Sequence, residues 1–278
     1  MLFRGIRQNG EHGKKGPLIC KVCELQADHA FSGMLLGTRM VKYFRCSHCG
    51  FLFTEDPAWL NAAEVKSVSR FDTGILERNL LVTKIITVLI RYFFDRHGRF
   101  LDYGGGYGVF TRLMRDNGFN FFWHDPFSEN LFARGFEYLP TGPGKFELVT
   151  AIEVFEHLPA PRDLMDYCFS EPLTDSLFFT TLLYGQSPPK HDEWWYYSKE
   201  TGQHISFYNE QTLEYIASCY QANIYSNANF FHLITRKKIN RRLYSLLFRY
   251  AEKIYSRLKL KSKAPEDQKI LASKTESP

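Results

Sequence analysis

The chain has 278 residues, of which 44% are hydrophobic and 23% are charged. These proportions are ordinary for a folded globular protein, so they exclude a wholly disordered or fibrous chain. The length suggests one large domain or two smaller ones. The formal charge of +5 is unevenly distributed, because residues 1–235 carry −4, residues 236–263 carry +10 and residues 264–278 carry −1. The basicity is therefore confined to one C-terminal stretch.

No part of the sequence predicts a membrane-spanning helix or a secretory signal. The most apolar run, from Leu80 to Phe94, contains Lys84 and Arg91. It is also shorter than the roughly 20 apolar residues that a spanning helix needs. Residues 1–16 lack the continuous apolar core of a signal peptide. We therefore expect a cytoplasmic protein, and in a reducing compartment clustered cysteines bind metal more often than they form disulfides.

Four of the six cysteines form two Cys-x2-Cys pairs with 22 residues between them: Cys20, Cys23, Cys46 and Cys49. Two such turns, joined by the length of a β-hairpin, can bring four thiolates to tetrahedral positions around Zn²⁺. The spacing predicts a zinc ribbon over residues 14–60. Because four protein ligands leave no open coordination position, we expect this zinc ion to be structural.

A glycine-rich turn follows a predicted strand that ends at Asp102. Glycines stand at Gly104, Gly106 and Gly108, and a helical pattern begins at Val109. Glycines let the backbone turn sharply and let a ligand approach closely. No Gly-Lys-Ser/Thr follows, and Val109 stands where a dinucleotide-binding fingerprint has glycine or alanine. The pattern predicts a ligand-binding loop between a strand and a helix.

Further apolar runs predict additional parallel strands. Residues 120–124 form one run, which ends in Asp125, 23 residues beyond Asp102. Runs at 146–151 and 176–183 follow, with a predicted helix between them at 162–169. Alternating strands and helices indicate a doubly wound α/β sheet. An acidic residue at the tip of the second strand of such a sheet can bind ribose hydroxyls.

The segments LDYGGGYG, HDP and FELVTAIEVFEHLP resemble class I S-adenosylmethionine (SAM)-dependent methyltransferases, over about residues 75–235. The resemblance implies a seven-stranded Rossmann-like sheet with SAM as the methyl donor. It assigns the methionine end of SAM to Asp102 and the glycine turn, and the ribose to Asp125. It also implies a position beside the donor for the EVFEH segment, with Glu153, Glu156 and His157.

Two details of this resemblance leave alternatives open. Glu153 and Glu156 could instead be N-terminal charges of the next helix, and the EVFEH pair Glu156 and His157 also has a purely structural interpretation. The third strand, expected around residues 135–139, lacks a clear acidic signature for the adenine. Phe136 and Glu137 are therefore only candidate neighbours of that ring.

The connection over residues 184–208 is long for an α/β fold, and long loops of this kind are commonly functional. It contains Trp194, Trp195, Tyr196 and Tyr197, and the stretch resembles the WWY…GQHxxFF segment of a methyltransferase subgroup that includes sugar and polyketide-pathway enzymes. His204 is our first candidate for a general base, because a neutral imidazole accepts a proton near pH 7. A histidine that fixes the loop by hydrogen bonding is the alternative. His191 is a weaker candidate base.

Residues 236–263 form a predicted basic amphipathic helix, with apolar residues at spacings of three and four. Three roles are open: a helix packed on the body, peripheral adsorption to an anionic membrane surface, or a nucleic-acid contact. Residues 264–278 are predicted to be a disordered tail.

The sequence thus predicts a zinc-ribbon-bearing SAM-dependent methyltransferase. We expect it to act on a small-molecule or sugar/glycan-precursor acceptor, with O-methylation favoured over C-methylation. The ribbon and methyltransferase together also resemble deoxysugar C-methyltransferases and zinc-ribbon rRNA methyltransferases. The mildly acidic body argues against nucleic acid. The alternatives are an RNA methyltransferase and a non-catalytic scaffold whose basic tail binds a membrane or partner, and the expected location is cytoplasmic or peripheral on the inner face of a membrane.

Overall fold

The computed structural model describes residues 18–60, 72–139, 144–170 and 173–275. The first residues of the predicted zinc ribbon, 14–17, and the last three of the predicted tail, 276–278, lie outside this part of the chain. Within the described residues, no helix is long and apolar enough to cross a membrane.

Ten strands form two sheets among the described residues. In chain order they are β1 (Asp28–Leu35), β2 (Arg39–Arg45), β3 (Leu52–Thr54), β4 (Arg99–Tyr103), β5 (Asn120–His124), β6 (Leu148–Ala151), β7 (Ser176–Thr180), β8 (Ser206–Phe207), β9 (Asn223–Asn227) and β10 (Phe231–Thr235). The small sheet has the order β1-β2-β3-β8 and is antiparallel. The large sheet has the order β5-β4-β6-β7-β10-β9. Its first four strands are parallel, and β10 is antiparallel to both of its neighbours.

Helices cover both faces of the large sheet. In chain order they are α1 (Ile75–Phe93), α2 (Val109–Asp116), α3 (Pro161–Phe169), α4 (Glu210–Cys219), α5 (Arg241–Arg249), α6 (Ala251–Tyr255) and α7 (Ala264–Thr275). One buried core combines side chains of α3 and α4 with the four paired cysteines. A second core combines side chains of α1, α2 and α5 with the opposite face of the sheet. This is a doubly wound α/β arrangement, as the alternating pattern predicts.

The expected count of seven strands is not reached, because the described part of the large sheet has six. Where the third strand of the resemblance should lie, a single parallel bridge joins Trp123 to Glu137. The Glu137 carboxylate accepts hydrogen bonds from the backbone N–H of Gly135 (2.9 Å) and from Asn130 Nδ2 (2.7 Å). These bonds hold the segment in a turn, so it does not continue as a strand.

The basic stretch is two short helices rather than one long helix. Helix α5 ends at Arg249, and Tyr250 separates it from α6. Tyr244 and Leu247 of α5 are buried, and the ammonium of Lys84 in α1 lies 2.6 Å from the carboxylate of Glu252 in α6. Part of the apolar face is therefore packed on the body, which is one of the three predicted roles. Membrane contact remains a prediction.

Residues 264–275 form helix α7, so the predicted disordered tail is wrong over that range. Asp267 is 2% exposed and accepts a hydrogen bond from Arg115 Nε at 2.9 Å. Arg112 Nη1 lies at the same distance from that carboxylate. The guanidinium of Arg115, itself buried, lies 3.5 Å from the ring centre of Phe136. Asp267 thus forms ion pairs with two arginines of α2. The composition of the tail does not predict this long-range pairing.

Candidate active site

The glycine-rich turn lies at the carboxyl end of β4 and leads into α2, with Gly108 immediately before the helix. Gly104 has a φ of +70° and donates its N–H to the carbonyl of His124 (2.8 Å). A Cβ on Gly104 would lie 2.6 Å from Cγ2 of Val154, in the turn after β6. Gly106 also has a positive φ, +52°, but a Cβ there would meet no atom within 4 Å. The turn is therefore packed on one side and open on the other.

Asp102, just before this turn, is buried and held by two threonines. Its carboxyl accepts hydrogen bonds from Thr111 Oγ1 in α2 (2.8 Å) and Thr150 Oγ1 in β6 (3.2 Å). Burial raises the pKa of Asp102 to about 7, although the two hydroxyls act in the opposite direction. The side chain thus ties β4 to its neighbours and fixes the base of the glycine turn.

Asp125 lies directly after β5 and contacts the glycine turn. Its Oδ2 accepts a hydrogen bond from the N–H of Gly106 (2.9 Å). Its Oδ1 accepts from the N–H groups of Phe127 (2.7 Å) and Ser128 (3.0 Å). The structure therefore brings together the glycine turn and the acidic residue predicted at the tip of the second strand.

Glu153 follows β6 in a left-handed conformation, with a φ of +55°. Its N–H donates to Thr180 Oγ1 (2.8 Å), and that hydroxyl donates to Glu153 Oε1 (2.6 Å). Arg78 Nε lies 3.8 Å from Oε2, and Arg78 also pairs with Asp72 at 2.7 Å. Burial raises the pKa of Glu153, whereas the charge of Arg78 opposes that shift. A left-handed non-glycine residue costs about 1–2 kcal/mol, so these contacts hold an unfavourable conformation in place.

Three residues next along this edge form a second cluster: Glu156, His157 and His204. Their ligand atoms all lie within 4.8 Å of one another. His157 Nδ1 is 3.0 Å from the carbonyl of Gln203, and His204 Nδ1 is 2.7 Å from the carbonyl of Tyr196. A carbonyl only accepts, so each Nδ1 carries the proton and each neutral ring has its lone pair on Nε2.

Burial determines the charge of this cluster. It lowers the pKa of His204 to about 3, with the neighbouring His157 acting in the same direction. It also lowers the pKa of His157 and raises that of Glu156, which is fully buried. Both imidazoles are therefore neutral at pH 7, and each has an Nε2 lone pair free to bind a ligand. The low pKa of His204 makes it a weak base, because an efficient general base has a pKa near the operating pH.

His191 lies in a different cluster, against the small sheet. Its ring packs on Gly33 of β1 and stacks on Tyr197, with 5.3 Å between ring centres. Its Nε2 is 3.4 Å from the hydroxyl of Tyr43, and its Nδ1 is 3.6 Å from the carboxylate of Asp192. Among the described residues, none of these partners belongs to the glycine turn or to the group around His204.

The four paired cysteines converge at one buried point. The Sγ atoms of Cys20 and Cys49 are 3.6 Å apart, and those of Cys23 and Cys46 are 3.3 Å apart. All four sulfurs lie within 4.8 Å of one another. Sulfurs bound to one tetrahedral zinc ion lie about 3.8 Å apart, given a Zn–S bond of about 2.3 Å. The four side chains could therefore hold such an ion.

The cysteine-bearing segment is joined to the large sheet's C-terminal half through α4 and β8. Thr212 Oγ1 donates to the carbonyl of Cys49 (2.9 Å), and Gln211 Nε2 donates to the carbonyl of His48 (2.6 Å). Strand β8, two residues after His204, pairs with β3. The position of His204 is therefore coupled to the N-terminal segment.

Comparison with known protein families gives a match to a profile described as a methyltransferase domain, over residues 77–227. This range is more than half of the chain. The chain belongs to this methyltransferase family. The glycine turn, Asp125 and Glu153 all fall inside the matched range.

The methyltransferase is similar to several solved structures over part of its length. One is an O-methyltransferase family protein from Burkholderia thailandensis, with 13% identity, a TM-score of 0.43 and coverage of 59% of this chain and 56% of that chain. Another is the magnesium protoporphyrin IX methyltransferase from Synechocystis PCC 6803 with bound SAM, with 15% identity, a TM-score of 0.41 and coverage of 64% and 89%. This chain thus spans just over half the length of the first. A comparison with curated proteins gives no match.

Sequence reasoning missed the polar residues that hold Glu153. Arg78 belongs to α1 and Asp72 precedes that helix, and no local pattern connects either of them with a strand end more than 70 residues later. Thr180 offered a usable signal, because it is a polar residue at the carboxyl end of the fully buried strand β7. In open α/β sheets this edge is where ligands bind.

Proposed function

We propose that the methyltransferase transfers the methyl group of SAM to a hydroxyl oxygen of a small molecule, with a sugar or glycan precursor as the acceptor. The observation that carries this proposal is the Nε2 lone pair of His204, whose imidazole is neutral. His204 lies beside Glu156, which follows Glu153 three residues later in the chain. An oxygen acceptor must lose a proton during transfer, and a lone pair at this position can accept the hydrogen bond of the acceptor hydroxyl and orient its oxygen toward the methyl group.

The methyl donor fits the open side of the glycine turn. A Cβ placed on Gly106 would have no atom within 4 Å, so SAM can approach the backbone at this residue. Asp125, whose Oδ2 accepts only one of the hydrogen bonds described, would hold the ribose hydroxyls. Glu153 would lie beside the methionine end, with Thr180 and Arg78 fixing its carboxylate. Asp102 would act indirectly, by fixing the turn.

A sugar acceptor is favoured by the aromatic segment that precedes His204. Trp195 is 73% exposed, although its neighbours Tyr196 and Tyr197 are buried. The carbonyl of Tyr196 is the group that binds His204. An exposed indole one residue from this contact offers an apolar face on which a sugar ring can stack.

We further propose that Cys20, Cys23, Cys46 and Cys49 bind a structural zinc ion. The support is the burial and mutual approach of the four sulfurs, together with a fully occupied tetrahedral ligand set. Such an ion has no open position for substrate, so its contribution would be to the stability of the N-terminal segment.

Two measurements test the methyl-transfer proposal. SAM binding is measured by calorimetry, and labelled methyl transfer is measured over nucleotide sugars, glycans, small phenols and RNA. We expect transfer to a sugar hydroxyl, weaker SAM binding in Asp125→Asn, and retained SAM binding with lost transfer in His204→Ala. His191→Ala is the matched comparison and should keep transfer. Full activity of His204→Ala, or transfer to RNA alone, would contradict the proposal.

A further inference from the structure

We propose that Glu156, His157 and His204 form a binding site for a divalent metal ion, which binds and activates the acceptor hydroxyl. The proposal deepens the proposed function and rests on it for the role of the ion in methyl transfer. The presence of the site itself can be tested without an acceptor.

The donor set is one carboxylate and two imidazoles, all within 4.8 Å of one another. Two histidines and one carboxylate are a recurring ligand set for divalent transition metals, with coordination positions left open for substrate. Adjacent ligands of one six-coordinate ion lie about 3.0 Å apart when each bond is about 2.1 Å. Shifts of about an ångström would therefore bring all three groups onto one ion.

The backbone already orients both imidazoles for coordination. His157 and His204 each use Nδ1 to bind a backbone carbonyl, that of Gln203 and that of Tyr196. Metal-bound histidines commonly make this kind of second contact, because it fixes the tautomer and the direction of the ring. The two rings are 5.0 Å apart and nearly perpendicular, at 80°. Because each Nδ1 is engaged by a carbonyl, Nε2 is the nitrogen of each ring that stays free to bind an ion.

Glu156 is the observation that points to a missing cation. The residue is fully buried, and neither carboxylate oxygen has a hydrogen-bond partner. A buried carboxyl without a partner is costly and rare. The hydroxyl of Tyr196 lies near this carboxyl group and 3.2 Å from Thr181 Oγ1, and it can offer the carboxyl group at most one proton. The charge of Arg78 is engaged by Asp72 at 2.7 Å. A divalent ion would supply the positive charge and the partner for both carboxylate oxygens that these side chains do not.

The cluster lies where the transferred methyl group has to go. Glu156 is one turn after Glu153, and Val154 between them packs on Gly104 of the glycine turn. Ile205, next to His204, donates its N–H to the carbonyl of Glu156 at 2.8 Å. The cluster and the glycine turn therefore share one edge of the sheet, the edge at which open α/β sheets bind ligands.

The chemistry balances with SAM as the only co-substrate. With its Nε2 bound to the cation, His204 acts through the ion and does not accept the proton itself. Binding to the cation lowers the pKa of the acceptor hydroxyl, which releases its proton to solvent. The oxygen forms a bond to the methyl carbon as the carbon–sulfur bond breaks, and the sulfonium becomes a neutral thioether. Three protein ligands leave two or three positions open. We infer that the acceptor presents two adjacent oxygens, as in the vicinal diol of a sugar.

Mn²⁺ is the probe of choice, because it prefers oxygen and nitrogen ligands and avoids competition from the four cysteines. The full chain is treated with a chelator, desalted and titrated with Mn²⁺, and free ion is counted by electron paramagnetic resonance. We expect one bound Mn²⁺ per chain. Glu156→Gln, which preserves volume, should weaken binding by roughly tenfold or more. His97→Ala, which removes an exposed imidazole elsewhere, should not change it.

SAM binding by each variant shows that the fold is retained. Absence of Mn²⁺ binding by the wild-type chain, or unchanged binding by Glu156→Gln, would overturn the site. Methyl transfer that continues undiminished in excess chelator would overturn the activating role while leaving the proposed function intact. Failure of the wild-type chain to bind SAM would instead count against the proposed function.

Discussion

Replacing Gly104 with alanine should destabilise the protein far more than the same change at Gly106. Both residues have a positive φ, +70° and +52°, so alanine costs about 1–2 kcal/mol at either position. At Gly104 the new Cβ would also lie 2.6 Å from Cγ2 of Val154, and overpacking of this kind costs typically about 1–3 kcal/mol. The expected loss of unfolding free energy is therefore about 2–5 kcal/mol for Gly104→Ala and about 1–2 kcal/mol for Gly106→Ala.

Urea denaturation of both variants measures these losses, and a double-mutant cycle with Val154→Ala isolates the steric part. Trimming Val154 should return about 1–3 kcal/mol to Gly104→Ala, because only the overpacking contribution is relieved. Gly106→Ala should remain folded and bind SAM more weakly, since its methyl group enters open space. Equal losses at the two glycines, or no rescue by Val154→Ala, would refute the reasoning.

Three further outcomes are expected. Burial raises the pKa of Asp102 from 3.8 to about 7, so the folded state retains a proton that the unfolded state loses, and the free energy of unfolding should fall between about pH 4 and pH 7. In urea titrations, Asp102→Asn should flatten this pH dependence of the unfolding free energy. An unchanged pH dependence in Asp102→Asn would contradict the raised pKa of Asp102. Cys46→Ala should remove bound zinc and lower the melting temperature, whereas Cys219→Ala, at an exposed position, should change neither. Asp267→Ala should lower the free energy of unfolding by about 3–5 kcal/mol, because Arg115 would remain buried without its carboxylate partner. Amide hydrogen exchange in α7 should become faster in this variant, and exchange that stays slow would contradict the prediction.

The elements that the sequence predicts well are those determined by neighbouring residues. The apolar run at 120–124 is strand β5, and the pattern after Gly108 is helix α2. Asn209, a residue type that favours this position, caps α4, with Oδ1 accepting the N–H of Thr212 at 2.9 Å. In each case the side chains that define the element lie within a few residues of one another, so periodicity and capping chemistry are sufficient.

The elements that differ from expectation depend on distant partners. Helix α7 is held by arginines about 150 residues earlier in the chain, and composition alone favours disorder for such a polar segment. Within the candidate site, the acids and histidines could be named from motifs. Their partners could not, because Arg78 and the carbonyl of Tyr196 approach Glu153 and His204 only in the folded chain.

The pairing of β8 with β3 makes the N-terminal segment part of the support of His204, which its position in the sequence does not suggest. Leu52 lies opposite Phe207, so the backbone that leaves His204 is hydrogen-bonded to a strand that begins three residues after Cys49. A shortened enzyme that begins at residue 75 would leave β8 as an unpaired edge and release the loop that carries His204. Loss or oxidation of the four thiols would act on methyl transfer in the same way, without touching SAM or acceptor.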